Sequence, residues 1–333
     1  MTVARKREVG RGERVLPGLW RLRLPLPWPG VPHCNAWAVA AGDGVVLFDC
    51  GMHEPGSFAD LERALDMVGL RVEHIRLLVC THAHPDHYGQ AAPIVEATGC
   101  ELWMHPDHRH LTAALTDPEA GVERRLEIAR SAGVPEESLR RLAQERRERS
   151  SGVAAFVEPD RPLVDGVEID TDLGAFRAVE TPGHAPSHVC LWQPDRRLLI
   201  SGDHLLGRVS IYFDFGYSPD PAGEFLASLD RVETLGARLS LSGHGRTFTD
   251  VHGHIVANRD EVGGGLDAIE RALRAGAPLT AYDVVRRVHG EAMSSVQATW
   301  RMSVTLAYLR HLEVTGRAER AGGDGPDRWR AAP

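Results

Sequence analysis

The chain has 333 residues, of which 43% are hydrophobic and 25% charged, and its formal net charge is −8. This length allows a sizeable core and more than one domain, while the acidic balance excludes a general electrostatic attraction to nucleic-acid phosphates. The N-terminus lacks an apolar signal segment, and no stretch reaches the roughly 20 apolar residues of a membrane span, so we expect a cytoplasmic protein.

The first half of the chain alternates strand and helix patterns. In chain order, the predicted elements are two strands within 37–51, a helix over 57–69, a strand over 74–81, a helix over 89–99 and a strand over 101–105. We expect Ser57 to cap the first helix and Gly69 to end it. This β-α-β alternation predicts a layered α/β domain.

Residues 106–152 interrupt the alternation with two highly charged helices, over 121–133 and 135–150. Two interpretations fit this insertion. One is a solvated helical hairpin, and the other is a lid, or an arm of a homodimer, over a functional site.

The strand pattern then resumes at 166–183 and continues as a hairpin over 189–203. A helix over 220–236, with Asp220 near its start, and a strand over 238–245 complete this part. The remaining segments have helical periodicity and end in a short stretch that can form a two-stranded wing around "GGDG". We therefore expect a catalytic domain over 1–257 and a smaller, mainly helical domain over 258–333.

Side chains that commonly bind metals follow several of the predicted apolar strands, each in a turn that contains glycine or proline. They are His82, His84, Asp86 and His87 in "CTHAHPDHYG", His184 in "TPGHAPSH", Asp203 in "LLISGD" and His244 in "LSLSGHG". Side chains on loops at strand ends can converge on one cleft while the sheet behind them stays rigid. We expect these seven residues to form one metal centre.

The spacing H-x-H-x-D-H suits two metal ions. His82 and His84 point the same way in an extended segment and can bind one ion, whereas Asp86 and His87 lie past a proline and can bind a second. His184 would complete the first set of ligands and His244 the second, with Asp203 between them. Imidazole and carboxylate ligands without thiolates suit zinc, with iron or manganese as alternatives.

The order of these motifs, starting with Asp49 in "FDCG", resembles that of the metallo-β-lactamase superfamily over about residues 16–249. The resemblance implies an αββα four-layer sandwich with two Zn²⁺ at one edge, and Asp49 as a structural residue that orients the loop or a histidine. The aspartate at the bridging position is most similar to the glyoxalase II-like hydrolases. The C-terminal segments resemble the winged-helix-like extension of one subgroup.

This resemblance implies a hydrolase that attacks the thioester or ester carbonyl of a small acyl substrate with a metal-bridging hydroxide, and Asp86 as a proton acceptor. His188, Tyr88 and Tyr212 are candidates for substrate contacts, and His188 is equally compatible with a packing role.

Other functions remain compatible with the same residues. One is an endoribonuclease that cuts single-stranded RNA with the help of the arginines at 140–149. Another is a mononuclear iron persulfide dioxygenase that uses His82, His184 and Asp203. A regulator without enzymatic activity is disfavoured, because structural zinc sites are closed and commonly contain cysteines.

Overall fold

The structure is a computed structural model that describes residues 9–28, 30–274, 276–291, 295–321 and 325–333. Most of the predicted turn at "GGDG" lies outside these ranges. In the part of the chain that is described, no helix is both long and apolar enough to span a membrane.

A seven-stranded mixed sheet contains the N-terminal half of the fold. Its strands, in spatial order, are β1 (Arg11–Leu16), β2 (Leu19–Trp28), β3 (Val31–Ala41), β4 (Gly44–Phe48), β5 (Ile75–Val79), β6 (Glu101–Met104) and β7 (Arg161–Pro162). The first four strands are antiparallel neighbours, whereas β4 to β7 run parallel. The parallel half is joined by helical connections, as the sequence alternation predicts.

A second sheet of five strands packs against the first. Its strands are β12 (Leu239–Ser242), β11 (Leu198–Gly202), β10 (Val189–Gln193), β9 (Phe176–Glu180) and β8 (Glu168–Ile169), in that spatial order. The predicted hairpin over 189–203 is confirmed as the antiparallel pair of β10 and β11. The last strand, β12, runs parallel to β11, so the chain leaves both strands at the same edge.

The interface between the two sheets is a continuous apolar layer. Five residues of this layer are fully buried: Trp37 and Phe48 of the first sheet, and Phe176, Leu191 and Ile200 of the second. The rings of Phe48 and Phe176 lie 5.4 Å apart across this layer. A buried interior of this kind fixes the relative position of the two sheets, because protein cores are close-packed.

The described residues form ten α-helices, some of which cover the outer faces of the two sheets. They are α1 (Ser57–Asp66), α2 (Pro85–Tyr88), α3 (Ala91–Thr98), α4 (Arg109–Thr116), α5 (Pro118–Ser131), α6 (Glu136–Glu148), α7 (Pro221–Leu235), α8 (Val251–Arg274), α9 (Ala281–His289) and α10 (Ser295–Val314). Apolar residues of α1 and α3 pack on the first sheet, and those of α7 pack on the second. The predicted αββα four-layer sandwich is confirmed.

The N-terminus of α1 differs from the prediction. Gly56, with φ of 85°, is the N-cap, and Ser57 is the first helical residue. The Ser57 hydroxyl accepts a hydrogen bond from the Glu54 backbone amide (3.1 Å) and so does not cap the helix. The prediction of Ser57 as N-cap is therefore wrong, because glycine makes the left-handed turn that brings the chain into the helix.

The insertion over 106–152 contains three helices, of which α5 and α6 were predicted and α4 was not. The helices α5 and α6 pack through a small apolar cluster of Leu126, Ala129, Leu139 and Ala143. The α5 helix is also held against the body of the protein, because the Arg124 guanidinium donates to the Gly216 carbonyl. The insertion is thus a packed helical unit in contact with the loop that precedes α7.

The C-terminal part consists of α8, α9 and α10 followed by a two-stranded antiparallel sheet, β13 (Ala318–Ala321) and β14 (Arg328–Ala331). The α8 helix passes through the predicted domain boundary at 257/258. Its apolar residues share one core with α7, β10 and β11, and Phe225 and Leu229 of α7 belong to it. The division into two domains stays a prediction.

Candidate metal centre

The seven predicted metal ligands converge at one edge of the sandwich. The motif at 82–87 follows β5 of the first sheet, whereas His184, Asp203 and His244 follow β9, β11 and β12 of the second. Each lies immediately past its strand, where the chain turns away from the sheet. Both sheets therefore contribute to a single cleft.

Asp49 fixes the loop that carries the motif. Its Oδ1 atom accepts a hydrogen bond from the Thr81 backbone amide (2.7 Å), and Oδ2 lies 2.8 Å from His87 Nδ1. The backbone of Asp49 is in the left-handed region, with φ of 61°, a conformation that is uncommon for residues other than glycine. This strained position directs the carboxylate at the loop and turns His87 so that Nε2 faces the cleft.

The first set of candidate ligands is His82, His84 and His184. The Nδ1 atom of His84 lies 2.9 Å from His82 Nε2 and 3.0 Å from His184 Nε2. His184 is oriented by its own Nδ1, which lies 3.1 Å from the Tyr212 carbonyl. Three ring nitrogens that lie this close together could bind one metal ion.

The second set is Asp86, His87 and His244. The Nε2 atom of His244 lies 3.1 Å from Asp86 Oδ2, and His87 Nε2 lies 3.5 Å from the same oxygen. The other ring nitrogen of His244 lies 3.0 Å from the carbonyl oxygen of His33. This hydrogen bond leaves Nε2 of His244 free to face the cleft, which is the usual arrangement of a metal-binding histidine.

Asp203 lies between the two sets. Its Oδ2 atom is 3.8 Å from His184 Nε2 and 3.2 Å from His244 Nε2, and its Oδ1 atom is 3.4 Å from His87 Nε2. Asp203 Oδ1 and His87 Nε2 are both buried, and neither has a hydrogen-bond partner among the residues that the structure describes. Buried polar atoms rarely lack a partner, and a metal ion would supply one here.

Burial and the charges of the site determine the protonation states of the candidate ligands. Burial lowers the pKa of His184 to about 4 and that of His82 well below its usual value, so both rings are neutral and have a free lone pair. Burial also disfavours the charge on Asp203, but His244 and His87 outweigh it and lower the pKa of this carboxylate. Burial also opposes the charge on His87 and His244, but Asp203 and the neighbouring carboxylates outweigh it and raise both pKa values, that of His244 to about 10. Metal binding at the second set would therefore release protons, whereas His82 and His184 already have the neutral form that binds a divalent cation.

Two of the three predicted substrate contacts are contradicted. The Tyr88 side chain is buried in the core, where its hydroxyl donates to the Val157 carbonyl (3.1 Å) and accepts from the Val157 amide (2.7 Å). His188 is also fully buried, with Nδ1 2.8 Å from Thr181 Oγ1 and Nε2 accepting from the Asp203 amide (3.1 Å). Tyr88 therefore packs the interior, and His188 holds the backbone of Asp203.

Tyr212 is half-buried at the wall of the cleft. Its ring centroid lies 6.0 Å from that of His84 and 5.7 Å from that of His184. Its hydroxyl donates to Asp214 Oδ1 (3.1 Å). Tyr212 is the one predicted substrate contact whose position at the cleft is compatible with that role.

The sequence prediction missed Asp214 and His110. Asp214 Oδ2 lies 2.7 Å from His84 Nε2 and 3.2 Å from His110 Nε2, so this carboxylate orients a ligand histidine. Asp214 lies in the loop between β11 and α7 and His110 in the insertion, far from any motif. The position of Asp214 in a loop at the ligand edge was the signal that could have suggested it.

Two arginines of the insertion lie near Tyr212. Arg125 of α5 and Arg146 of α6 are half-buried, and burial together with the charge of Arg125 lowers the pKa of Arg146 to about 10. Burial and Asp214 raise the pKa of Tyr212, an effect that the two guanidinium groups partly offset. Within the ranges that the structure covers, Arg146 has no carboxylate at ion-pair distance.

Proteins from other organisms resemble the chain in sequence. It is 24% identical over 303 residues to the "Probable metallo-hydrolase YqjP" of Bacillus subtilis, a match that covers 88% of this chain and 91% of the relative. It is 28% identical over 149 residues, 40% of this chain and 44% of the relative, to the "Atrochrysone carboxyl ACP thioesterase nsrC" of Aspergillus novofumigatus.

Solved structures also resemble this one over nearly its whole length. The metallo-β-lactamase family protein TTHA1429 from Thermus thermophilus superimposes with a TM-score of 0.81 at 26% identity, over 96% of this chain and all of that one. A β-lactamase domain protein from Burkholderia ambifaria gives a TM-score of 0.79 at 27% identity, over 96% of this chain and 93% of that chain.

The family model described as the metallo-β-lactamase superfamily matches residues 29–244. This match includes all seven candidate ligands and ends at His244. Together with the sandwich fold and the convergence of histidine and aspartate side chains at its edge, it makes the chain a metal-dependent hydrolase that belongs to the metallo-β-lactamase superfamily.

Proposed function

We propose that this protein is a dinuclear zinc hydrolase of the glyoxalase II-like type that cleaves the carbonyl of a thioester or ester. The proposal rests on one observation: Asp203 lies between a set of three histidines and a set of Asp86, His87 and His244. A carboxylate in that position would contribute to the binding of both ions. Carboxylate and imidazole ligands without a thiolate are compatible with zinc.

Two bound zinc ions would lower the pKa of a water molecule that they share to about 7 and so supply a nucleophile at neutral pH. In the protein, Asp203 and the two sets of ligands hold the site in place, and Asp49 and Asp214 orient ligand histidines from behind. We assign to Asp86 the acceptance of the proton released during attack on the carbonyl. Tyr212 forms the wall against which the substrate lies.

The named relatives support hydrolysis of a thioester more than the other candidate reactions. One relative is named as an acyl-carrier thioesterase and another as a probable metallo-hydrolase. Against binding of RNA, two of the arginines of α6 are paired with acidic side chains, Arg147 with Glu119 and Arg140 with Glu136.

The three C-terminal helices and the β13–β14 hairpin have the order of elements expected for a winged-helix-like extension.

Elemental analysis of protein purified without added metal tests the dinuclear zinc centre. We expect close to two zinc ions per chain and hydrolysis of at least one member of a panel of acyl thioesters, esters and lactones. About one iron per chain with oxygen uptake on glutathione persulfide would instead establish the dioxygenase. Cleavage of RNA without thioesterase activity would establish the nuclease.

Arg125 and Arg146 provide a test of the alcohol or thiol part of the substrate. We propose that they contact an anionic group of this part, such as a carboxylate or phosphate. In that case Arg146→Gln raises KM for thioesters of anionic thiols and leaves KM for thioesters of a neutral thiol close to that of the wild type. Arg140→Gln, which removes an exposed arginine of the same helix, is the matched control.

A further inference from the structure

A second cleft, whose lining includes none of the metal ligands, lies between α8, α9, α10 and the loop that leads into the metal centre. Its volume is about 540 Å³. Its apolar lining includes Ile211, Ile269, Val288, Trp300 and Val304. The volume falls in the range of about 300–1,000 Å³ that is usual for small-molecule sites. Trp300 is 37% exposed in this cleft, although a large aromatic side chain usually lies mostly buried.

Three consecutive glycines, Gly263 to Gly265, lie in the middle of α8, where glycine is less favourable than alanine. Gly265 has a packing reason, because a Cβ atom there would lie 2.4 Å from Cε2 of Tyr308. Gly264 lines the cleft, and a Cβ atom there would meet no atom within 4 Å. The absence of a side chain at Gly264 therefore leaves this part of the cleft open.

The cleft and the metal centre share a wall. Trp300 Nε1 donates to the Ile211 carbonyl (2.7 Å), and the ring centroid of Tyr212 lies 6.1 Å from that of Trp300. On its other side, Tyr212 lies against His184, whose Nδ1 contacts the Tyr212 carbonyl oxygen. The segment of Ile211 and Tyr212 thus lies between the cleft and the metal centre, and a substrate whose carbonyl is held at the metal centre would have to pass Tyr212 and Trp300 to reach the cleft.

The charges at the cleft select against a phosphate or carboxylate. Asp260 and Glu261 of α8 line it, and like charges repel an anionic group. Arg301 also lines the cleft, but its Nη1 atom lies 2.7 Å from Nδ1 of His289. An uncharged apolar chain fits the lining better than an anionic thiol does.

We propose that this cleft binds the apolar acyl chain of the substrate and that Gly264 and Trp300 determine the chain length accepted. The inference rests on the proposed hydrolase function and names the part of the substrate that lies outside the metal centre. In this arrangement the acyl chain of the substrate lies at α8 and α10, and its thiol part lies at the insertion.

Filling the cleft tests the proposal. Gly264→Leu introduces a side chain into the cleft. Gly263→Leu, the control, introduces the same side chain at the neighbouring position, which does not line the cleft. At both positions a Cβ atom meets open space. Leucine favours a helix more than glycine does, so both variants should melt at or above the temperature of the wild type. The substrates are acetyl and decanoyl thioesters of N-acetylcysteamine, a neutral thiol.

We expect the ratio of kcat/KM for the decanoyl ester to that for the acetyl ester to fall about tenfold or more in Gly264→Leu. In Gly263→Leu this ratio should stay at the wild-type value. An unchanged ratio in Gly264→Leu, or equal falls in both variants, would overturn the proposal. So would a change of oligomeric state confined to Gly264→Leu, because the cleft would then be a contact between copies of the chain.

Binding of decanamide, an uncharged probe, measured by calorimetry, separates failure of this proposal from failure of the hydrolase function. If the wild type hydrolyses neither thioester, the proposed reaction is wrong, but the cleft is still tested. Weaker binding of decanamide in Gly264→Leu than in Gly263→Leu supports the acyl site. Equal binding in the wild type and both variants contradicts it.

Discussion

Asp203 is the residue on which both sets of ligands depend. In Asp203→Asn, the amide keeps the size of the carboxylate but loses its charge and one of its acceptor oxygens. We expect the affinity for both metals to fall together by at least about tenfold, as measured by metal content after dialysis against a metal buffer. The control is Asp165→Asn, which alters a partly exposed carboxylate paired with Arg231. Retention of two metals with full activity in Asp203→Asn would disprove the bridging role.

Asp214 acts on the site through His84. Replacing it with alanine removes the acceptor 2.7 Å from His84 Nε2, and loss of such an orienting partner typically weakens metal binding by about 10- to 100-fold. Competition with a chromophoric chelator measures this effect independently of activity. Asp214→Asn keeps an acceptor oxygen and should lose less affinity than Asp214→Ala; equal affinity in all three proteins would show that Asp214 has no orienting role.

The candidate ligands could be identified from the sequence because their signal is local. Four of them fall within six residues after an apolar strand, and the others stand alone in short turns after strands. The role of Tyr88 could not be predicted because its partner Val157 comes from another segment, and that of His188 because its Nε2 atom accepts from the Asp203 amide at the end of a later strand. Asp214 was missed for the same reason, since its partner His84 is 130 residues away.

At the scale of the elements, glycine at the strand ends sets how closely the loops approach. A Cβ atom at Gly243 would lie 2.2 Å from Asp203 Oδ1 and 2.7 Å from His87 Cε1. We expect Gly243→Ala to displace these side chains, to weaken metal binding and to lower the free energy of unfolding by about 1–3 kcal/mol. Urea unfolding and metal titration measure both effects.

Gly42→Ala is the matched control for that variant. Gly42 has a positive φ of 60°, but a Cβ atom there would have no other atom within 4 Å, so alanine should cost only backbone strain, about 1–2 kcal/mol. Its metal affinity should equal that of the wild type. If Gly243→Ala also binds metal as tightly as the wild type, close packing at this turn does not position the ligands.

The strands β1 and β2 were not among the predicted elements, and the prolines in β2 explain why. Pro25 and Pro27 lack the amide hydrogen that a central strand needs. The pairing of β1 with β2 ends at Arg23, so these prolines lie where β2 has no neighbour on that side among the residues that the structure describes. Proline is tolerated at such an edge, but its position at an edge is visible only in the assembled sheet.

At the scale of the whole molecule, the C-terminal helices share a core with the second sheet. Ending the chain at residue 257 would cut α8 and remove Leu273, Leu309 and Trp329 from the cluster that contains Phe225 and Leu229. We expect the truncated protein to lose cooperative urea unfolding, followed by circular dichroism, because it exposes this apolar surface. Cooperative unfolding with retained metal would instead establish the predicted separate domains.

The ligands come from both sheets, so bound metal would add a further link between two layers that otherwise meet through side-chain packing and hydrogen bonds such as that from the Asn35 amide to the Gly243 carbonyl (2.7 Å). Because a ligand that binds only the folded state stabilises it, metal at about 1,000 times its dissociation constant adds about 4 kcal/mol to the free energy of unfolding. Treatment with a chelator should therefore lower the melting temperature as well as abolish hydrolysis. In a cell, a shortage of metal would then reduce the amount of this protein that survives proteolysis, and not only its turnover of substrate.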